Sequence, residues 1–287
     1  MTDDPFVTHR TLLFTVAYEM LGSASDAEDV VQETWLRWAD VDKAEVRDPR
    51  AYMVRMVTRQ ALNRLRSVSR SREEYVGEWL PEPLLTSPDV AEDAELAENV
   101  SIAMLTVLET LGPAERAVFV LHEVFDTPFD EIAEVLGKTP AAVRQIAHRA
   151  REHVVARRPR MQVDRAQQQV AVAKFMAAIS TGDVQGLVEL LAPDVVLIAD
   201  GGGGAGAIRK PITGVEKVVA LLSRAVKYPG FVATSAWLNG MPGARIEIGG
   251  ATAAVSLVVE DGRITRIYTI GNPHKLGRLE KVVELRR

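Results

Sequence analysis

The spacing of apolar residues changes once along this chain, and no single fold serves both parts. Up to about residue 158, apolar side chains recur every three or four positions, as in Leu12, Leu13, Val16, Ala17, Met20 and Leu21. That is the period of helices with one buried face. From about Val163, helical stretches at Ala166 to Ile179 and Val215 to Ala225 are followed by alternating runs, RIEIGG, ATAAVSLVVE and RITRIYTI. Alternation is strand period, and Asp261-Gly262 between the last two runs is a hairpin turn signal. An all-helical part therefore precedes an α+β part.

Local signals divide the helical part. Gly22 stands where a glycine ends a first helix, and Ser25 with Glu28 forms a capping box for a second. In the second helix Val30, Val31, Thr34, Trp35 and Trp38 make one face, and Asp29, Gln32, Glu33, Leu36 and Arg37 another. Asp48-Pro49 opens a third helix with Tyr52, Met53, Met56, Val57, Ala61 and Leu65 turned inward. The segment Glu74 to Asp93 has three prolines and no helical period, which reads as a linker. A second helical unit follows, beginning with Leu96, Val100, Met104, Val107, Leu108 and Leu111 at helical spacing, broken at Gly112-Pro113 and resumed from Ala117 to Leu121. The expected units are 1–72, a linker 73–95, 96–158 and 163–287.

The formal net charge of −5 averages segments of opposite sign. Arg47 to Arg72 carries eight arginines against Asp48 alone; Glu73 to Glu98 carries nine acids and no base; Lys138 to Arg160 carries seven Lys or Arg against Glu152. Basic, acidic, basic is a pattern for a polyanion gripped at two points, and equally for three solvated surfaces. Cysteine is absent, which excludes disulfides, thiolate metal sites and cysteine nucleophiles. The five histidines have no paired ligand spacing, so neither a metal nor a cofactor is expected. Gly201-x-Gly203-x-x-Gly206 matches a dinucleotide fingerprint in form, but Pro211 interrupts the helix that would receive a pyrophosphate. Apolar runs fall short of the roughly 20 residues of a membrane span, and MTDDPFVTHR is not a secretory signal, so a cytoplasmic protein is expected.

Within the second unit, Thr127-Pro128 precedes FDEIAEVL, Gly137 makes a turn, and Thr139-Pro140 precedes AAVRQIAHRARE. Both Thr-Pro pairs are helix starts, and Val143 and Ile146 can pack on Ile132 and Leu136. That is a helix-turn-helix, leaving Arg144, Gln145, His148, Arg149 and Arg151 to face away. Arg pairs bidentately with guanine and Gln with adenine in the major groove.

In these residues, positions 1 to about 158 resemble an extracytoplasmic-function (ECF) sigma factor of bacterial RNA polymerase. DAEDVVQETWLRW resembles the helix that docks on the clamp coiled coil of the polymerase largest subunit. DPRAYMVRMVTRQALNRLRS resembles the helix and loop that open the −10 element, and LGPAERAVFVLHEVFDTPFDEIAEVLGKTPAAVRQIAHRARE the −35-binding unit. The resemblance implies polymerase contacts at Asp29, Gln32, Glu33 and Arg37, and −10 contacts at Arg55, Arg59, Asn63 and Arg66. It implies −35 contacts at Arg144, Gln145, His148, Arg149 and Arg151, with core RNA polymerase (clamp and flap) and promoter DNA as partners. The acidic linker is read as a solvated one.

The C-terminal part resembles the SnoaL-like, nuclear transport factor 2-like cone, which a subgroup of these factors, the SigJ type, carries fused. WLPEP (Trp79 to Pro83), DGGGG (Asp200 to Gly204) and NPHKL (Asn272 to Leu276) resemble that subgroup's motifs. Gly204-Ala205 stands where the subgroup has lysine, and His274 where it has aspartate. The resemblance implies regulation through an interface between linker and cone, drawing on Trp79, Pro81, Asp200, Gly201, Gly202, Asn272, Pro273 and Lys275, with a small-molecule ligand of the cone left open. Two other readings stand beside it. One is a conventional helix-turn-helix regulator with a ligand-binding cone. The other is a cone-fold isomerase or cyclase using Asp183, Asp194, Asp200, Tyr268 or His274, residues that offer no paired spacing; a non-enzymatic factor is expected.

Overall fold

The structure, a computed structural model, describes residues 4–158, 165–204 and 207–287, with side chains for all of these except 69–73, 91, 92 and 165. Helices α1 (Pro5–Leu21), α2 (Ala24–Ala39) and α3 (Pro49–Glu73) form the first unit. Asp4 accepts the Phe6 N–H at 2.9 Å with Pro5 in the first turn, and Gly22, at φ 63°, closes α1 by donating to Tyr18 O at 2.7 Å. The start of α2 departs from the expected capping box. Ser23, not Ser25, caps it by accepting the Asp26 N–H at 3.2 Å, and Glu28 is turned to Arg10. Asp48 accepts the Ala51 N–H at 3.0 Å and opens α3 as expected.

The second unit holds α4 (Ala94–Asn99), α5 (Ile102–Leu108), α6 (Pro113–Phe119) with a π-turn at Val120–Val124, α7 (Phe129–Leu136) and α8 (Pro140–Arg157). The helix expected to run on from Leu96 is split at Ser101, whose hydroxyl accepts the Met104 N–H at 3.1 Å and restarts the chain as α5. The two units share one core, in which Leu13, Met20, Met53 and Val57 are continuous with Leu105, Val118 and Leu121.

The C-terminal cone comprises α9 (Arg165–Thr181), α10 (Val184–Leu190), β1 (Leu191–Asp200), β2 (Ile212–Thr213), α11 (Val215–Val226), β3 (Val232–Leu238), β4 (Met241–Ile248), β5 (Ala251–Glu260) and β6 (Arg263–Ile270). The sheet order is β2-β1-β6-β5-β4-β3, antiparallel except for the parallel β1–β6 pair. Alternation gives the sheet two apolar faces. Leu197, Val255 and Ile267 face Phe175 of α9 and Val219 of α11, whereas Ala254, Val258, Tyr268 and Ile270 meet Leu80, Ile102 and Ala103 of the preceding parts. The β5–β6 hairpin turns at Asp261-Gly262 as expected. Among the described residues no helix follows the Gly201 run before α11, and Ala205 and Gly206 lie outside them, as do Arg160 and the rest of the junction 159–164. No helix among the described residues is long and apolar enough to cross a membrane.

The solvated linker expected from composition is instead an internal strut. Leu80, Pro81, Glu82, Pro83, Leu84 and Thr86 are buried, and Pro88–Glu92 forms a 3-10 turn. On one side Tyr18 donates its hydroxyl to Glu82 O at 2.6 Å, and the Glu82 N–H donates to Gly22 O at 2.8 Å. The Glu82 carboxylate accepts from Ala24 N–H at 2.7 Å and Ser25 N–H at 3.2 Å, so an anion from the linker caps α2. On the other side Leu85 bridges Leu238 at the end of β3, and the Thr86 N–H donates to Trp237 O at 2.9 Å. Extended backbone added to a strand end satisfies the linker's polar groups without water.

Candidate functional site

Asp29, Gln32, Glu33 and Arg37 are all exposed on α2 and border one groove against α3. Asn63 of α3 lines the same groove. Arg64 crosses it, its Nε 2.8 Å from Asp26 Oδ1, and that carboxylate pushes its pKa up. Of the other −10 candidates, Arg59 and Arg66 are exposed. Arg55 lies 3.6 Å from Glu131 of α7, bordering a cavity of about 150 Å³ between the two helical units that Asp48, Arg50 and Pro128 also line. The start of α3 thus borders the helix-turn-helix unit, with Asp48 and Arg50 still exposed. Arg70 and Arg72 belong to the side chains not described.

The helix-turn-helix is α7–Gly137–α8. Gly137 takes φ 62°, Thr139 accepts the Ala142 N–H at 3.2 Å, and Ile132, Val143 and Ile146 are buried. Thr127 does not cap α7: the cap position falls to Pro128, and the Thr127 N–H donates to Leu121 O at 2.9 Å. Arg144, Gln145, His148, Arg149 and Arg151 are all exposed on α8, as the spacing predicts. Four are engaged through the ends of their side chains: Arg149 lies 3.6 Å from Glu115, Arg151 2.6 Å from Glu123, His148 3.6 Å from Glu152 one turn on, and Arg144 lies over the Phe129 ring at 5.9 Å. Glu123 raises the pKa of Arg151, which fixes that charge where α8 leaves the recognition end.

WLPEP, DGGGG and NPHKL converge on one buried site. Asp200 ends β1, and Lys275 follows β6 in a turn capped by Asn272, whose Oδ1 accepts the His274 N–H at 3.0 Å. The Lys275 ammonium lies 2.6 Å from Asp200 Oδ2 and 2.6 Å from Leu80 O, with 6% and 0% of the two side chains exposed. The Leu80 N–H donates to Asp200 Oδ2 at 3.1 Å, so the ion pair grips both backbone polar groups of one linker residue. Lys275 sits 3.1 Å above the Trp79 ring, which meets Tyr75 edge-on. Tyr75 donates its hydroxyl to Asp200 Oδ1 and accepts from Asn272 Nδ2 at 3.1 Å; burial first, then the Asp200 carboxylate, pushes its pKa up to about 12. Gly202, at φ 74°, donates its N–H to Asp200 at 3.1 Å, and a Cβ there would stand 3.1 Å from Asn272 Oδ1. Gly201 is half-buried beside Ala207, Pro81 is buried, and Pro273 and His274 are exposed. The pair uses neither position at which the sequence departs from the SigJ-type pattern. Tyr75 lies outside the three motifs, although an aromatic in a linker carries the same signal as Trp79.

The cone's second apolar face encloses a cavity of about 200 Å³ between α9, α11 and the sheet, lined by Phe175, Leu197, Leu222, Phe231, Val255 and Ile267 among others. Among the described residues no ionisable side chain lines it, and Thr269 is the polar member. Asp183 instead caps α10 by accepting the Gly186 N–H at 2.9 Å. Asp194 is exposed in β1 where the β1–β6 register shifts, and His274 is exposed. Tyr268 is buried on the opposite face of the sheet, and burial raises its pKa.

Comparison with known proteins fits this layout. The family model for Sigma-70 region 2 matches residues 6–71, and that for Sigma-70, region 4 matches residues 101–154, the two helical units of a sigma factor. The ECF RNA polymerase sigma factor SigJ of Mycobacterium tuberculosis is 38% identical, over 94% of this chain and 91% of that protein. The probable ECF RNA polymerase sigma factor SigI of the same organism is 33% identical, over 94% and 93%. The crystal structure of M. tuberculosis SigJ matches with a TM-score of 0.78 at 37% identity, covering 95% of this chain and 97% of that one. This chain belongs to the ECF sigma factor family, as a SigJ-type member with a SnoaL-like domain fused behind regions 2 and 4.

Proposed function

We propose that this sigma factor is held in a closed form by its own cone and that opening frees it for polymerase and promoter. The observation that carries this is the grip of Asp200 and Lys275 on Leu80, which fastens the region 2–region 4 linker to the cone. In the open form Asp29, Gln32, Glu33 and Arg37 dock the clamp, region 4 meets the flap, and α8 reads −35 through Arg144, Gln145, His148 and Arg149 with Arg151 toward phosphate. Arg55, Arg59, Asn63 and Arg66 hold the melted −10 strand. The position of Arg55 beside Glu131 supports the closed form as one that masks part of that surface. The domain limits 1–72, 73–95, 96–158 and 163–287 belong to the same reading, as does the absence of catalysis.

The test is transcription by purified core RNA polymerase with the full chain on promoters of its own genome. Glu33→Arg is expected to abolish the transcript while leaving promoter-DNA affinity within about twofold, since charge reversal acts on the docking groove and phosphate contacts lie elsewhere. Unchanged transcription with Glu33→Arg would place polymerase docking outside the α2–α3 groove.

The cavity supports a second element, an uncharged lipophilic ligand. One sheet separates it from the linker: Val255 and Ile267 face the cavity where their neighbours Ala254 and Tyr268 face Leu80 and Ile102. Naphthalene is expected to raise the melting temperature of the full chain, and Ala253→Phe, which fills the cavity, to remove that shift. An equal shift with both proteins would place binding elsewhere.

A further inference from the structure

The β3–β4 hairpin turns on Asn239-Gly240, with φ 54° and 71° and Leu238 paired to Met241. Turn chemistry accounts for an Asn followed by Gly there. It does not account for burial, because such a turn ordinarily points its side chain at water, and Asn239 is fully buried. Its amide is spent on three separate parts of the molecule. Oδ1 accepts the Leu84 N–H of the linker at 2.9 Å, and Nδ2 donates to the Tyr18 hydroxyl of region 2 at 2.6 Å and to Val100 O of region 4 at 2.9 Å. Its own N–H donates to Leu84 O at 2.9 Å. Tyr18 passes the link on by donating to Glu82 O at 2.6 Å, and burial raises its pKa and keeps it a neutral donor. Gly240 completes the fit, since a Cβ there would come within 2.9 Å of Ala97 in α4.

We propose that Asn239 is the positioning residue through which the cone holds region 2 and region 4 at once, so that the hairpin tip sets their relative placement independently of the Asp200–Lys275 grip on the linker. Both amide hydrogens are committed, one to each region, and of the two carboxamide side chains Asn is the one favoured at φ near 54°. Separating the two regions breaks one of these bonds or the other. The inference rests on the closed form proposed above, but its readout is distance rather than transcription.

Because the chain has no cysteine, Val7→Cys on α1 and Val155→Cys on α8, both exposed, provide the two sites for paired spin labels on the full chain. The parent should give a single short distance between them. Asn239→Gly keeps the turn conformation and removes the three side-chain bonds; Tyr18→Phe removes, of these three, the region 2 bond, together with the Tyr18 bond to Glu82 O. Each lost buried bond should raise the ratio of long to short distances by roughly tenfold. Asp261→Gly, in the exposed turn of the β5–β6 hairpin, should leave the distribution unchanged. The proposal is overturned if Asn239→Gly leaves the distance unchanged, or if Asp261→Gly broadens it equally. Should Asn239→Gly unfold the cone, Tyr18→Phe decides, since it leaves the cone's own chain intact: a second distance sustains the proposal and a single one overturns it. A lengthened distance without more transcription would leave this assignment standing and remove the regulatory reading.

Discussion

Lys275→Met is expected to destabilise the full chain by about 3 kcal/mol, the lower end of what breaking a buried ion pair costs. The lower end applies because the stranded Asp200 carboxylate keeps three neutral donors, Leu80 N–H, Gly202 N–H and the Tyr75 hydroxyl. Most of the loss is the penalty of an unneutralised buried charge, not the intrinsic value of the contact. Asp200→Asn should cost a similar amount, and the double variant should cost about 2 kcal/mol less than the sum of the two, a coupling that denaturant unfolding of all four proteins measures directly. Additive losses would mean the two side chains act on the linker separately. The local consequence has its own readout. Residues 74–98 contain no Lys or Arg but several glutamates, and Glu82 is buried. A glutamyl endopeptidase cannot cut Glu82–Pro83 because of the proline, but it should cut the Lys275→Met protein under native conditions at the half-buried Glu78–Trp79 bond beside Leu80, and cut the parent there far more slowly.

The helical period and the helix-turn-helix were legible in the sequence because they are local: each rests on residues within about four positions of one another. Thr139, Gly137 and the faces of α3 and α8 form as the spacing predicts. The misreadings share a different cause. Ser25-x-x-Glu28 is a good capping box by local rules, yet Ser23 takes the cap and a carboxylate 57 residues away takes the Ser25 N–H. The same carboxylate belonged to a linker that composition described as solvated. Its acidity is real at Glu74 and Asp89, which are exposed, and misleading at Glu82, which a helix N-terminus neutralises. Three short motifs pointed to the linker–cone site, but the grip of Asp200 and Lys275 on both backbone groups of Leu80 appears only when β1 and the turn after β6 come together. Asn239 was readable as a turn residue from Asn-Gly and unreadable as a junction, since its three partners lie 139 to 221 positions or more than a domain away along the chain.

Glu19→Gln is expected to stabilise the protein at neutral pH and to destabilise it by about 1–2 kcal/mol near pH 4.5, where only the cost of burying the amide is left. Glu19 lies on α1 where region 2 meets α6 of region 4, fully buried, and neither carboxylate oxygen has a hydrogen-bond partner. The charged groups around it are already matched: Arg116 of α6 donates to Glu19 O at 3.1 Å and to Glu109 at 2.8 Å, and the Glu82 carboxylate of the linker faces the α2 N-terminus. Burial therefore dominates, and it pushes the Glu19 pKa from 4.5 up to about 8 against the pull of Arg116. A raised carboxyl pKa makes a contribution that is complete below the unfolded value, 4.5, and is lost as pH rises toward the folded value, about 8. Holding the proton at pH 7 costs about 3 kcal/mol relative to pH 4.5. Glutamine has the same shape and no proton to hold, and after the cost of burying its amide the net gain at pH 7 should be about 1–2 kcal/mol. Urea midpoints measured from pH 5 to 8.5 should show the variant's advantage growing with pH and levelling off above 8. A constant difference would mean that Glu19 is ionised in the folded chain. The retained carboxyl makes the region 2–region 4 junction weaker at neutral pH than an isosteric neutral side chain would, which is the property expected of a contact that has to come apart.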